Sequence, residues 1–262
     1  QERRAADPLM HLELWGNPLI RNANVATLTM GVMMIGIITF LPTFVQGVLG
    51  RSAVVAGFTL SVMTVGWPLS SFAAGHLLVS QGVRRIVRVG AVAALAGTVC
   101  IAALASRGPV GMGVGSFVLG VGLGLLSTTF VVAIQTSVPW HQRGVATASN
   151  MLMRILGNAL GAALFGGVLN WQMGRYLARN GLAGRVSVDS IQDLMSTATP
   201  HAAALGADVL AVLRAGLSES LHAVFWGIVL LAGVTLYAAL RVPEMRLAAD
   251  DAALEGIHEH MG

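Results

Sequence analysis

Charge is scarce in this sequence, and whole classes of charge are missing. Charged residues make up 11% of 262 positions, where soluble domains run near a quarter. There is no lysine: all sixteen basic residues are Arg, a pattern read here as GC-rich coding rather than function. The net charge of +4 is assigned to loop arginines that orient membrane spans, not to nucleic-acid binding. A single cysteine, Cys100, excludes any disulfide or cysteine metal site within one chain. No secretory leader is legible, because Glu2, Arg3, Arg4, Asp7 and Glu13 interrupt the first twenty residues. The chain opens on Gln1 and is read as part of a longer protein.

The acids are the sharpest absence. All twelve lie outside the apolar stretches or at their edges, from Glu2, Asp7 and Glu13 to Glu244 and Glu259. A proton relay inside a membrane needs a carboxylate or a His. Only His76 and His222 come near apolar stretches, both close to their ends. If transport is proton-coupled, the coupling acid is expected on another segment. No GxSxG, HExxH or intramembrane Asp pair is found, so hydrolase chemistry has no nucleophile or metal set. The expectation is no enzyme, no metal and no cofactor.

What the chain does have is apolar length. It is 55% hydrophobic, with a mean hydropathy of +0.74. Stretches long enough to cross a 30 Å core fall at about 24–46, 53–80, 86–106, 110–138, 145–171 and 220–240. Residues 1–21 are read as a linker with a short amphipathic segment, and 241–262 as a polar tail. The connection 172–219 is a loop whose Thr199-Pro200 and leucine spacing predict an interfacial helix at about 200–216. Short loops on one side carry Arg3, Arg4, Arg21, Arg84, Arg85, Arg88, Arg143, Arg241 and Arg246, and those on the other only Arg51 and Arg107. The first side is therefore expected to be cytoplasmic, with both termini there.

Polarity is uneven among the spans. The first, second, fourth and fifth carry stripes of Ser, Thr, Asn and Gln, whereas the third and sixth are nearly dry. This predicts an all-α membrane protein built from two three-helix units of inverted topology. The fifth span, Arg143 to Trp171, is the most unusual. Arg154 lies near the middle of the bilayer by helical rise, flanked one turn away on either side by Asn150 and Asn158. A buried charge of this kind faces a protein interior or a watery cavity. Arg154, Asn150, Gln135, Thr64, Trp67 and Gln46 are the candidates for a substrate path. Gly157, Gly161, Gly120 and Gly124 are read as close helix packing. Trp67, Phe72, Phe130 and Trp226 could stack on a lipophilic ligand.

Three segments together resemble the C-terminal half of a major facilitator superfamily transporter, of the fourteen-helix drug:proton antiporter (EmrB/QacA) type. They are Leu41-Pro-Thr-Phe-Val-Gln-Gly-Val-Leu-Gly50, then Gly75-His-Leu-Leu-Val-Ser-Gln-Gly-Val-Arg-Arg85, and Arg143-Gly-Val-Ala-Thr-Ala with Arg154-Ile-Leu-Gly-Asn-Ala-Leu-Gly161. The second is similar to the family's cytoplasmic loop, carried here by Gly75, Gly82, Arg84 and Arg85. Val79 stands where that loop often has Asp, and Asn158 where the family usually has Gly. The resemblance implies a six-helix half-bundle, a cavity lined by spans one, two, four and five, and exchange of an organic compound for protons by alternating access. It implies a bacterial inner membrane, with lipid, a small organic substrate and the transporter's N-terminal helices as partners, and no nucleic acid. Arg84 and Arg85 are expected at lipid headgroups or the domain interface. The alternative is a non-transporting half-domain or scaffold that pairs with a partner chain.

Overall fold

A computed structural model describes residues 12–181 and 207–244. Among these residues six helices are long and apolar enough to cross a membrane. They are α1 (Pro18–Thr43), α2 (Ala53–Gln81), α3 (Val83–Leu104), α4 (Pro109–Thr136), α5 (Arg143–Arg179) and α6 (Ala207–Leu240).

The boundaries follow local chemistry. Asn17 caps α1 by accepting the Leu19 amide at 2.9 Å, with Pro18 at the first helical position. This places the start of α1 six residues before the sequence-based boundary at 24. Pro42 has no amide to give, and the chain beyond it widens into a π turn over Phe44–Val48. Ser52 caps α2. Gly82 joins α2 to α3 at φ 75°, a left-handed backbone that a side chain would strain.

Two corrections concern the long connection. The helix α5 does not stop at Trp171 but runs on to Arg179, and α6 starts at Ala207 rather than 220. The described part of the expected 200–216 helix, from 207, is continuous with α6; its first residues lie outside the described ones. The reason is lateral pairing. Met173, Leu177, Leu213 and Leu217 are buried, and Gly216 lies against the Tyr176 ring. Hydropathy registers Gln172, Arg175 and Arg179 as the end of a span, but the apolar side keeps its helical spacing beyond it.

The packing is reciprocal. The first helix of each triplet lies on the second and third of the other: α1 on α5 and α6, α4 on α2 and α3. Both triplets meet again where α3 lies along α6. α1 also touches α2 and α4, α4 touches α5, and α5 touches α6, so the two triplets pack together as one bundle. Exchanging the two triplets leaves this pattern unchanged, as inverted three-helix units require. α1 and α4 are the most enclosed spans and α5 and α2 the least. The result is one half-bundle with uncovered sides on α2 and α5.

Candidate functional site

The α1–α5 crossing is built by glycine. A Cβ on Gly157 would fall on the Leu28 carbonyl, and one on Gly31 would fall on the Arg154 carbonyl. Gly161 lies against Val32 and Ile35. The α2–α4 crossing uses Gly120 against the Met63 carbonyl and Gly124 against the Trp67 carbonyl and the Ser70 hydroxyl. Backbones this close allow short polar side chains to reach across.

Three do so. The Asn150 amide donates to Asn24 Oδ1 and to Thr27 Oγ1, each at 3.0 Å. Thr29 and Thr235 share a bond of 2.8 Å between α1 and α6. All five residues are buried. Asn150 is therefore an interhelical clamp in this structure, with its side chain closed off from any opening. The sequence showed Asn24 and Thr27 only as members of a polar stripe. That they meet Asn150 depends on where α1 crosses α5.

Arg154 is placed differently. It is half-buried, and its Nη2 donates to Ser127 Oγ of α4 at 3.3 Å. Its buried Nε has no partner, nor has the buried Oδ1 of Asn158 one turn away. Among the described residues the one ion pair is Arg84–Glu244, so no carboxylate meets Arg154 there. The pair thus offers a charged donor and an amide acceptor, both unmet, roughly 16 Å from the start of α5 by helical rise. Such groups are costly unless water, a ligand or another segment satisfies them.

The remaining path candidates do not join it. Gln135 donates to Thr147 Oγ1 at 3.3 Å, beside a cavity of about 490 Å³ that Trp140, Arg143 and Met151 also line. Arg143 stacks over Trp140 with 5.2 Å to the ring centroid. Thr64 is exposed on α2 and donates to the Ser61 carbonyl at 2.7 Å. Its own carbonyl lies four residues before Pro68, which has no amide to give it. Trp67 is half-buried against the core. Gln46 lies at the far end of α1, its amide directed to the Pro42 carbonyl at 3.4 Å. Of the other aromatics, Phe130 is fully buried, while Phe72 and Trp226 are exposed. An apolar crevice of about 570 Å³ opens between α2 and α4, lined by Phe58, Val62, Val114 and Phe117 among others.

Of the loop residues, Gly75 is exposed with open space before it. Gly82 closes α2, and Arg84 stands 3.8 Å from Glu244. Arg85 is exposed beside them.

Comparison with known proteins agrees with this architecture. Residues 2–162 match the family model described as Major Facilitator Superfamily. The chain is 26% identical over 249 residues to the multidrug transporter protein MdtP of Bacillus subtilis (strain 168), covering 86% of this chain and 46% of that protein. It is 28% identical over 169 residues to the tetracycline resistance determinant of Streptomyces rimosus, covering 64% of this chain and 49% of that one. The chain thus spans half or less of the length of these curated relatives. Among solved structures it is similar to an inward-facing, unoccupied bacterial homolog of the human lysosomal transporter Spinster. That likeness has a TM-score of 0.61 at 17% identity and covers 92% of this chain and 52% of that one. A six-helix half-bundle, paired triplets and this family match lead to one conclusion: the chain is an integral membrane protein that belongs to the major facilitator superfamily.

Proposed function

We propose that this chain is the C-terminal part of a fourteen-helix drug:proton antiporter that exports small organic compounds by alternating access. One observation carries the reading: Arg154 and Asn158 hold unmet polar groups deep in a half-bundle whose α2 and α5 sides are uncovered. A six-helix half leaves both features incomplete, and a second half supplies the opposing wall. The relatives named as multidrug and tetracycline resistance proteins support the substrate class. The arginine count supports cytoplasmic termini. Energy comes from the proton gradient, with the coupling acid on the other half, since no acid lies in the apolar core of the spans here.

In this reading the Arg154 guanidinium faces the path from α5 and α4, steadied by Ser127. The glycine-packed α1–α5 pair moves as one body with it. The test is efflux of a drug panel from cells lacking the full-length gene and complemented with it. Arg154→Ala is expected to abolish efflux while membrane expression stays at the parent level. Normal efflux by that variant refutes the role of Arg154. Unchanged drug sensitivity on deleting the gene refutes the exporter reading itself.

A further inference from the structure

A second polar site lies at the other end of α2, away from the Arg154 region. A cavity of about 700 Å³ opens where α2 passes into α3, lined by Ser80, Gly82, Arg84, Arg85, Arg88 and Glu244 among others. Its charge is lopsided, with three guanidinium groups and one carboxylate. The carboxylate is poorly engaged: Arg84 Nη1 and Glu244 Oε2 are 3.8 Å apart, at the limit for an ion pair, with Glu244 75% exposed. Arg88 Nη2 makes one long bond, 3.4 Å to the Leu240 carbonyl. Among the described residues, the buried Nε atoms of Arg84 and Arg88 have no partner.

The backbone adds to this imbalance. These arginines occupy the first turns of α3, where the helix dipole is positive and acids are favoured. The cap residue Gly82 has no side chain to offer, and the first turn has no acid. Uncapped amides and unmet guanidinium donors therefore converge on one opening. A tetrahedral oxyanion answers both needs, since phosphate suits helix N-termini and arginine forks alike. The cavity lies at the membrane end that the arginine count assigns to the cytoplasm, where phospholipid headgroups stand.

We infer that the cavity between α2 and α3 binds a phosphate group through Arg84, Arg85, Arg88 and the start of α3, with Glu244 as the chain's own competitor for Arg84. The phosphate belongs to an anionic phospholipid headgroup or to a soluble phosphate. Occupancy ties α2, α3 and the end of α6 together at one membrane face.

Native mass spectrometry of the intact, full-length protein tests this, with phosphatidylglycerol, phosphatidylcholine and inorganic phosphate as separate probes. Phosphatidylglycerol is expected to bind better than phosphatidylcholine. The double variant Arg84→Gln/Arg88→Gln should lose about 25-fold in that binding, from two surface arginines at roughly 1 kcal/mol each and 1.4 kcal/mol per tenfold. Glu244→Gln should bind more tightly than the parent. It alters an exposed side chain, so it keeps the test open if the double variant fails to fold. Displacement of the lipid by millimolar inorganic phosphate, with direct phosphate binding, assigns the site to a soluble phosphate; resistance to it assigns the lipid. Three results overturn the inference: binding unchanged in the folded double variant, no gain with Glu244→Gln, or an equal loss with Arg51→Gln/Arg107→Gln at the opposite membrane end.

Discussion

Gly157→Ala should destabilise the protein more than its size suggests. The added Cβ would stand 3.1 Å from the Leu28 carbonyl carbon and 3.2 Å from Gly31 Cα, and nearer still to the Leu28 oxygen. Carbon atoms rest at about 3.5–4.0 Å. None of these neighbours is a side chain that can turn aside, so α1 and α5 must part by several tenths of an ångström or more. Overpacking of this kind costs about 1–3 kcal/mol. Parting the helices also stretches the Asn150 bonds to Asn24 and Thr27, now 3.0 Å each. Gly233 on α6 provides the control, since a Cβ there meets nothing within 4 Å. Gly233→Ala gains helix propensity, up to about 1 kcal/mol in water, and forfeits no contact. Both glycines are helical, so the propensity gain cancels and the two identical substitutions should differ by the overpacking cost, about 1–3 kcal/mol, with Gly157→Ala the less stable. Thermal unfolding of the purified intact protein in detergent, followed by tryptophan fluorescence, measures this as several degrees of Tm. A Gly157→Ala variant as stable as Gly233→Ala would refute the close-crossing argument.

Two further outcomes follow from the polar contacts. Asn150→Ala strands two buried acceptors, and each unmet group costs about 1–3 kcal/mol. Measured membrane hydrogen bonds average nearer 0.6 kcal/mol, because unfolded helices find other partners, so a total near 1–2 kcal/mol is expected. Asn24→Ala removes only one of those two bonds and should cost less, and the double variant should cost little more than Asn150→Ala alone, since the Asn150–Asn24 bond is common to both. Simple additivity in that thermal-unfolding cycle would show the pair is not coupled. Asn17→Ala removes the α1 cap and should cost about 0.5–2 kcal/mol. Hydrogen exchange should then quicken at the Leu19 amide with α3 unchanged; equal protection at Leu19 would contradict the cap.

Some of the architecture was legible before any coordinates. The six apolar stretches, the dry third and sixth spans and the repeated triplet all come from composition and order. The boundaries that slipped had local causes. Asn17-Pro18 is the same N-terminal signal as Thr199-Pro200, but Arg21 and Asn22 lower the local hydropathy and hide the start of α1. The ends of α5 and α6 were cut short because hydropathy averages around a helix. The spacing of Met173 and Leu177 against Leu213 and Leu217 is one-sided, and an average erases it.

The functional residues divide in the same way. Sequence pointed to Arg154 and Asn150 equally, since both are polar in an apolar span. Side chains on one helix four residues apart share a face, but the neighbours that face meets change along a crossing. Near Asn150 the partner is α1, and its Asn24 and Thr27 close the amide off. Near Arg154 the partner is Ser127 of α4, and the guanidinium keeps a free donor. The basic loop shows the same limit. Arg84, Arg85 and Arg88 are evident in the sequence, but Glu244 lies 160 positions from Arg84 and meets it only because α6 ends beside the start of α3.

By itself, the sequence determined six helical stretches of membrane-crossing length among the described residues, grouped as two triplets, because apolar length, polarity and loop arginine are properties of consecutive residues. Which helices touch, which backbone each packing glycine meets, and which polar groups are satisfied or left open were decided only by the tertiary structure. Those depend on crossing positions between segments far apart in the chain, and a hydrophobic stripe alone does not encode where along its length a partner will lie.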